Sequence, residues 1–173
     1  LDEKGKVLAL EQDRLSKSAQ RLQELEDLIA AKEASMKKLK ETLSKALNSF
    51  EGKGLTVEQK NGKVYVSMEN KLLFNSGSWA VGSEGKKAVV ELAKVLGDNP
   101  DISVLIEGHT DDDAFTASGP IADNWDLSTK RATAIVAILS ENKKINKENL
   151  TAAGRGEFSP LGSNATAEGK AKN

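Results

Sequence analysis

Ile102-Ser103-Val104-Leu105-Ile106-Glu107-Gly108-His109-Thr110-Asp111 is followed, after a loop, by Asn124-Trp125-Asp126-Leu127-Ser128-Thr129-Lys130-Arg131-Ala132. The first stretch is an apolar run ending in turn-forming and polar residues, which predicts a buried strand that stops near Glu107. The second begins with residues suited to a helix N-cap, Asn124 and Asp126, and continues with helical periodicity. A carboxylate at a strand's end and a guanidinium one turn into a helix can converge on one pocket. Such a pair suits a ligand that carries both an ammonium and a carboxylate. Asp111 would accept from the ammonium, and Arg131 would make a forked bond to the carboxylate. The plainer alternative is a surface ion pair of small energetic consequence. Placement at the C-terminal end of a strand favours the ligand, as does the poor fit of an arginine to a helix N-terminus.

Moving outward, the segment after the strand includes Gly119-Pro120 and is a loop. The helix from Asn124 or Asp126 to Ser140 turns Ala132, Ile135, Val136 and Leu139 inward. A third strand spans 149–154, a turn-rich loop follows to Asn164, and a short helix covers 165–172. Before the strand, Val81, Ala88, Val89, Leu92, Val95 and Leu96 mark a helix from Ser83 to Leu96 that ends at Gly97-Asp98-Asn99-Pro100. Residues 75–83 form a Gly/Ser-rich loop after a short apolar strand or strand end, Leu72-Leu73-Phe74. Asn61-Gly62 separates two strand-like runs and predicts a tight hairpin, because both residues tolerate positive φ. The run 102–107 is apolar on both faces, as expected of a central strand covered by helices. The fold class is α+β, a βαβαβ sandwich with helices on one mixed sheet.

Residues 1 to about 50 differ in kind. Leu8, Leu15, Leu22, Ile29, Met36, Leu43 and Phe50 recur every seven positions. A weaker second seam holds Leu25, Leu39 and Ala46 among Lys4, Glu11, Ser18 and Lys32. A strict heptad predicts a coiled-coil stalk, most simply a homodimer, with a lone polar helix or a larger bundle as alternatives. The chain divides into a coiled-coil helix (1–50), a linker and hairpin (51–71) and a globular domain (72–173).

Composition removes several functions. Lys+Arg 25 against Asp+Glu 26 leaves no basic excess for nucleic acid. The absence of cysteine removes thiolate chemistry, and no apolar run reaches membrane-spanning length. The sequence starts at Leu1 without Met and reads as a fragment, with room upstream for a targeting signal, lipid anchor or membrane helix. Asp111-Asp112-Asp113 raises a divalent-cation site, but consecutive side chains diverge and the alternating ligands and glycine of a calcium loop are missing. His109 stands alone, so zinc lacks partners and a structural hydrogen bond is expected. His109, Asp111 and Ser128 have nothing that places them in relay order, so no catalytic residue, metal or cofactor is assigned.

From Leu72 onward the chain resembles the peptidoglycan-binding domain shared by outer membrane protein A and the flagellar stator protein MotB. Five blocks in order carry the resemblance: Leu73-Phe74-Asn75-Ser76-Gly77-Ser78, Glu107 to Asp111, Asn124-x-x-Leu127-Ser128-x-x-Arg131-Ala132, Gly154-x-Gly156-Glu157, and Pro160 to Asn173. It implies that Asp111 and Arg131 clamp the zwitterionic end of diaminopimelate in the peptidoglycan stem peptide. Asn124, which also suits a helix cap, Thr110 and Asn75 are further ligand contacts by the same resemblance. The family often has Asp where Asn75 stands, which weakens an ammonium contact there. Leu127, Ser128 and Ala132 set helix packing, and Trp125 either walls the pocket or covers the core edge. The family's terminal helix is followed by an Arg-Arg pair and a final strand, and the sequence ends at Asn173 where these would begin. The implied role is a periplasmic, non-enzymatic anchor to the cell wall, associated with the outer membrane, or else the wall-binding part of a motor stator. Membrane attachment would come only from an upstream segment.

Overall fold

The computed structural model describes residues 2–75, 78–115 and 121–173. The expectations for Ser76-Gly77 and for Gly119-Pro120 lie outside the described residues. Helix α1 (Glu3–Leu47) is continuous over 45 residues, about 68 Å at the usual rise. Its heptad leucines from Leu8 to Ile29 are exposed, but Leu43 and Leu47 are buried, as is Phe50 in the 3₁₀ turn that follows. The last heptads therefore pack on the chain's own globular part. Only the stretch before about Met36 is left for a partner helix.

Strands β1 (Leu55–Lys60) and β2 (Lys63–Met68) form the expected hairpin, in antiparallel register from Leu55↔Met68 to Lys60↔Lys63. Asn61 and Gly62 take φ of 52° and 70°, as a type I′ turn requires. The hairpin is packed rather than loose. Leu55 joins Leu47, Phe50, Leu72 and Ala88 in one apolar cluster, with Val57, Val66 and Met68 against it.

Leu72-Leu73-Phe74 is not a strand. Asn70–Leu73 form a short helix, α2, and only Phe74 makes a bridge, to Val81. Both leucines reach the core from one helical turn. Helix α3 (Ser83–Gly97) follows as expected, and β3 (Val104–Gly108) leads through the loop to α4 (Asn124–Leu139) and β4 (Leu150–Gly154). Strands β3 and β4 pair in parallel, from Val104↔Leu150 to Gly108↔Gly154. A second core cluster holds Leu73, Phe74, Val89, Ala93, Leu96, Ile135, Leu139 and Ile145, with Val104, Ile106 and Leu150 packed against it.

The architecture is α+β, but two details differ from the expectation. Among the described residues the strands form two separate two-stranded sheets, not one mixed sheet. Strand β3 is also covered on one face only. Leu105 is 57% exposed, whereas Val104 and Ile106 contact the core. An apolar run of this length does not distinguish one covered face from two. The terminal helix α5 is shorter than expected, Ala167–Lys170, and starts where the Thr166 hydroxyl accepts from Gly169 N–H. No helix among the described residues is long and apolar enough to cross a membrane.

Candidate functional site: the ends of β3 and β4 against α4

Glycines set the spacing of the site. An ideal Cβ at Gly108 would lie 2.0 Å from the Ser128 carbonyl oxygen, and one at Gly154 2.2 Å from Thr129 Oγ1. Helix α4 therefore rests directly on the ends of β3 and β4, and no side chain fits between them. Ser128 is fully enclosed at this contact. Its hydroxyl donates to the Trp125 carbonyl and accepts from Gly156 N–H. Leu127 and Ala132 are buried beside it, so these three residues do set helix packing.

The N-cap of α4 is Asp123, not Asn124 or Asp126. The Asp123 carboxylate accepts from Asp126 N–H at 2.9 Å, and Asp126 in turn accepts from Ala122 N–H. This reciprocal exchange leaves Asn124 inside the first turn. The buried Asn124 amide donates to the Asp113 carbonyl and to the Glu157 carboxylate. Glu157, part of the Gly154-x-Gly156-Glu157 motif, is a site residue that the sequence pattern does not single out. Its contact crosses 33 residues, which local pattern does not reveal.

With α4 starting at Asn124, Arg131 is its eighth residue, midway along the helix. The macrodipole acts over the first turn only, so it gives no argument about Arg131. Burial is the relevant fact, since Arg131 is 8% exposed. Its Nε donates to the Ser78 carbonyl at 3.1 Å, and its guanidinium carbon lies 5.0 Å from the centre of the Phe74 ring. Two of its surroundings thus fix the plane of the fork. Desolvation lowers the Arg131 pKa, and the negative charge of Asp111 partly offsets this.

Asp111 follows β3 by three residues, half-buried, and accepts from Asp113 N–H. Asp111 and Arg131 feel each other's charge without forming a direct ion pair. Thr110, 4% exposed, donates its backbone N–H to the Gly156 carbonyl. Its hydroxyl has no hydrogen-bond partner among the described residues. Asn75 is exposed, and its carbonyl accepts from Ser78 N–H, the residue that holds Arg131. Asp111, Thr110, Asn124 and Arg131 thus belong to one region at the β3–α4 junction, with Asn75 reaching it through Ser78.

The neighbouring carboxylates are committed elsewhere. Lys170 of α5 bonds to both Asp112 and Asp113, and these bonds raise the lysine pKa. His109 Nδ1–H donates to the Ser159 carbonyl at 3.1 Å, the structural role expected of it. Trp125 lies outside both core clusters. It is half-exposed and stacks on Phe158.

Comparison with known proteins gives one family, one curated relative and two solved structures. The profile of the OmpA family matches residues 73–173. Motility protein B of Bacillus subtilis is 34% identical over 108 residues, covering 62% of this chain and 41% of that protein. The cell wall anchor of the T6SS from Pseudomonas aeruginosa superposes with a TM-score of 0.68 at 29% identity, over 76% of this chain and 90% of that one. A MotB-like protein from Desulfovibrio vulgaris superposes at 0.75 with 23% identity, over 85% and 91% of the two chains, and supports the fold. The chain spans less than two thirds of the length of the curated relatives it matches.

Proposed function

The chain belongs to the OmpA family, and from that premise we propose that it binds peptidoglycan non-covalently and anchors an envelope protein to the cell wall. It binds without turnover. The ligand group is the diaminopimelate of the stem peptide, whose free end carries an ammonium and a carboxylate on one carbon. Arg131 takes the carboxylate through its fork, and Asp111 takes the ammonium. Thr110 and Asn124 supply further hydrogen bonds, and Asn75 borders the site.

One observation carries this reading. A buried arginine, oriented by Ser78 and Phe74, stands near Asp111 without closing on it. A structural ion pair would have collapsed into direct contact. A pair held apart is arranged to receive opposite charges from outside, and the partly desolvated setting strengthens each bond. The family's wall-anchor relative supports the same reading.

The exposed part of α1 pairs with a second copy in a parallel coiled coil. With Leu8, Leu15, Leu22 and Ile29 at the a positions, Arg21 occupies g and Glu26 the following e. A parallel, in-register dimer sets these two opposite each other across the seam. The division of labour is therefore a stalk, a hairpin that braces its base, and a binding domain from residue 72 onward. The protein works in the periplasm, tied to the outer membrane through a segment upstream. The 34% identity to motility protein B favours a second reading, in which the anchored partner is a motor-stator or other ion-driven complex.

Co-sedimentation with purified sacculi tests the proposal. Arg131→Ala should lose retention while its circular dichroism stays native, and Arg131→Lys should weaken it, because an ammonium lacks the fork. Retention of folded Arg131→Ala at the original level would sink the assignment.

A further inference from the structure

Trp125 and Phe158 are 50% and 67% exposed, an unusual placement for two large aromatic side chains. Their rings stack on each other, with centroids 5.3 Å apart and planes inclined by 25°. The turn Arg155–Phe158 holds this arrangement, closed by Phe158 N–H donating to the Arg155 carbonyl. Gly156 takes φ +55° there, and even a Cβ at this position would touch both rings, at 3.4 and 3.5 Å. The turn is wired to the binding site at two points. Its Gly156 carbonyl accepts from Thr110 N–H, and Glu157 accepts from Asn124. The paired rings therefore sit one hydrogen bond away from the groups assigned to the stem peptide.

We propose that Trp125 and Phe158 form a stacking platform for a sugar ring of the glycan strand that carries the stem peptide. The inference rests on the wall-binding reading above and extends it from the peptide to the saccharide. A pyranose ring presents a face of C–H groups with partial positive charge, which complements the negative face of an aromatic ring. Its hydroxyls need polar neighbours, and Glu157 and Arg155, the latter ion-paired with Glu107, belong to the same turn as Phe158. A protein partner fits less well. Two aromatic side chains offer roughly 150–250 Å² each even when fully covered, whereas a stable protein interface takes about 800 Å² per partner. That area suits one or two sugar rings.

Calorimetric titration with two probes tests the platform: a diaminopimelate-containing stem peptide, and the same peptide attached to its N-acetylglucosamine–N-acetylmuramic acid disaccharide. The unmodified protein should bind the disaccharide–peptide about tenfold more tightly than the free peptide. Trp125→Ala and Phe158→Ala should remove that advantage and leave free-peptide affinity unchanged. Trp125→Phe should keep most of it. Equal affinity of the unmodified protein for both probes would overturn the platform and leave the peptide site standing. So would an alanine variant that weakens both probes alike, since the rings would then only brace the peptide pocket. Binding of neither probe would overturn the wall-binding reading and the platform together.

Discussion

A buried hydroxyl left without a partner costs about 1–3 kcal/mol, and the Thr110 hydroxyl has none among the described residues. Thr110→Val replaces it with a methyl of similar shape. If the hydroxyl exists for the ligand, the variant should be as stable as the parent or up to about 1 kcal/mol more stable in urea, while its stem-peptide affinity falls. A purely structural threonine would lose stability and keep its affinity. Gly154 is the reverse case, a residue whose role is steric. A Cβ there would press on Thr129 Oγ1, Ser128 Oγ and the Thr129 backbone nitrogen at 2.2–2.8 Å. Gly154→Ala should therefore destabilise the fold by about 1–3 kcal/mol in chemical denaturation and loosen α4 against the strands. Unchanged stability would mean that the helix can back away at no cost.

At the scale of elements, α1 has two environments along one stripe. Leu43 and Leu47 belong to the domain core, whereas Leu22 lies exposed. Leu22→Asp should leave the melting of the globular part unchanged and convert a dimer into a monomer in sedimentation equilibrium. A monomeric parent protein would remove the coiled coil from the reading. The heptad was legible because a seven-residue repeat needs no tertiary context, and the hairpin because Asn61-Gly62 encodes its own backbone. Where the stripe changes partner was not legible, since leucines look alike whether they face a second helix or their own core. The cap of α4 was misplaced for a related reason. Asp123, Asn124 and Asp126 all suit the position, and the exchange of Asp123 with Asp126 N–H decides among them, while Asn124 turns to Asp113 and Glu157. Strand β3 looked central because Leu105 continues an apolar run, although its face is open. The candidate site was legible as residue types in motifs. The burial of Arg131, the grip of Ser78 on it and the tie from Lys170 to Asp112 and Asp113 join residues distant in sequence, and only the fold reveals them.

The whole molecule joins a binding domain to the C-terminal end of a helix about 68 Å long. In a parallel dimer, both domains emerge at the same end of the stalk. Peptidoglycan repeats its stem peptides along and between strands, so the second domain of a bound dimer meets further ligands at a high local concentration. Effective concentrations of this kind reach the millimolar range for short tethers and strengthen retention by 10²–10⁴ in favourable geometry. If each domain carries the proposed charge clamp, a weak affinity per site is then enough for firm anchoring, and single contacts can still exchange. The dimer variant separates these levels. Leu22→Asp should leave calorimetric affinity for a soluble stem peptide as it was, because the proposed site lies in the other part of the chain. Its retention on intact sacculi should fall at least tenfold, because each released domain no longer has a bound neighbour. Equal retention of monomer and dimer would mean that each domain anchors alone and that the stalk serves for reach.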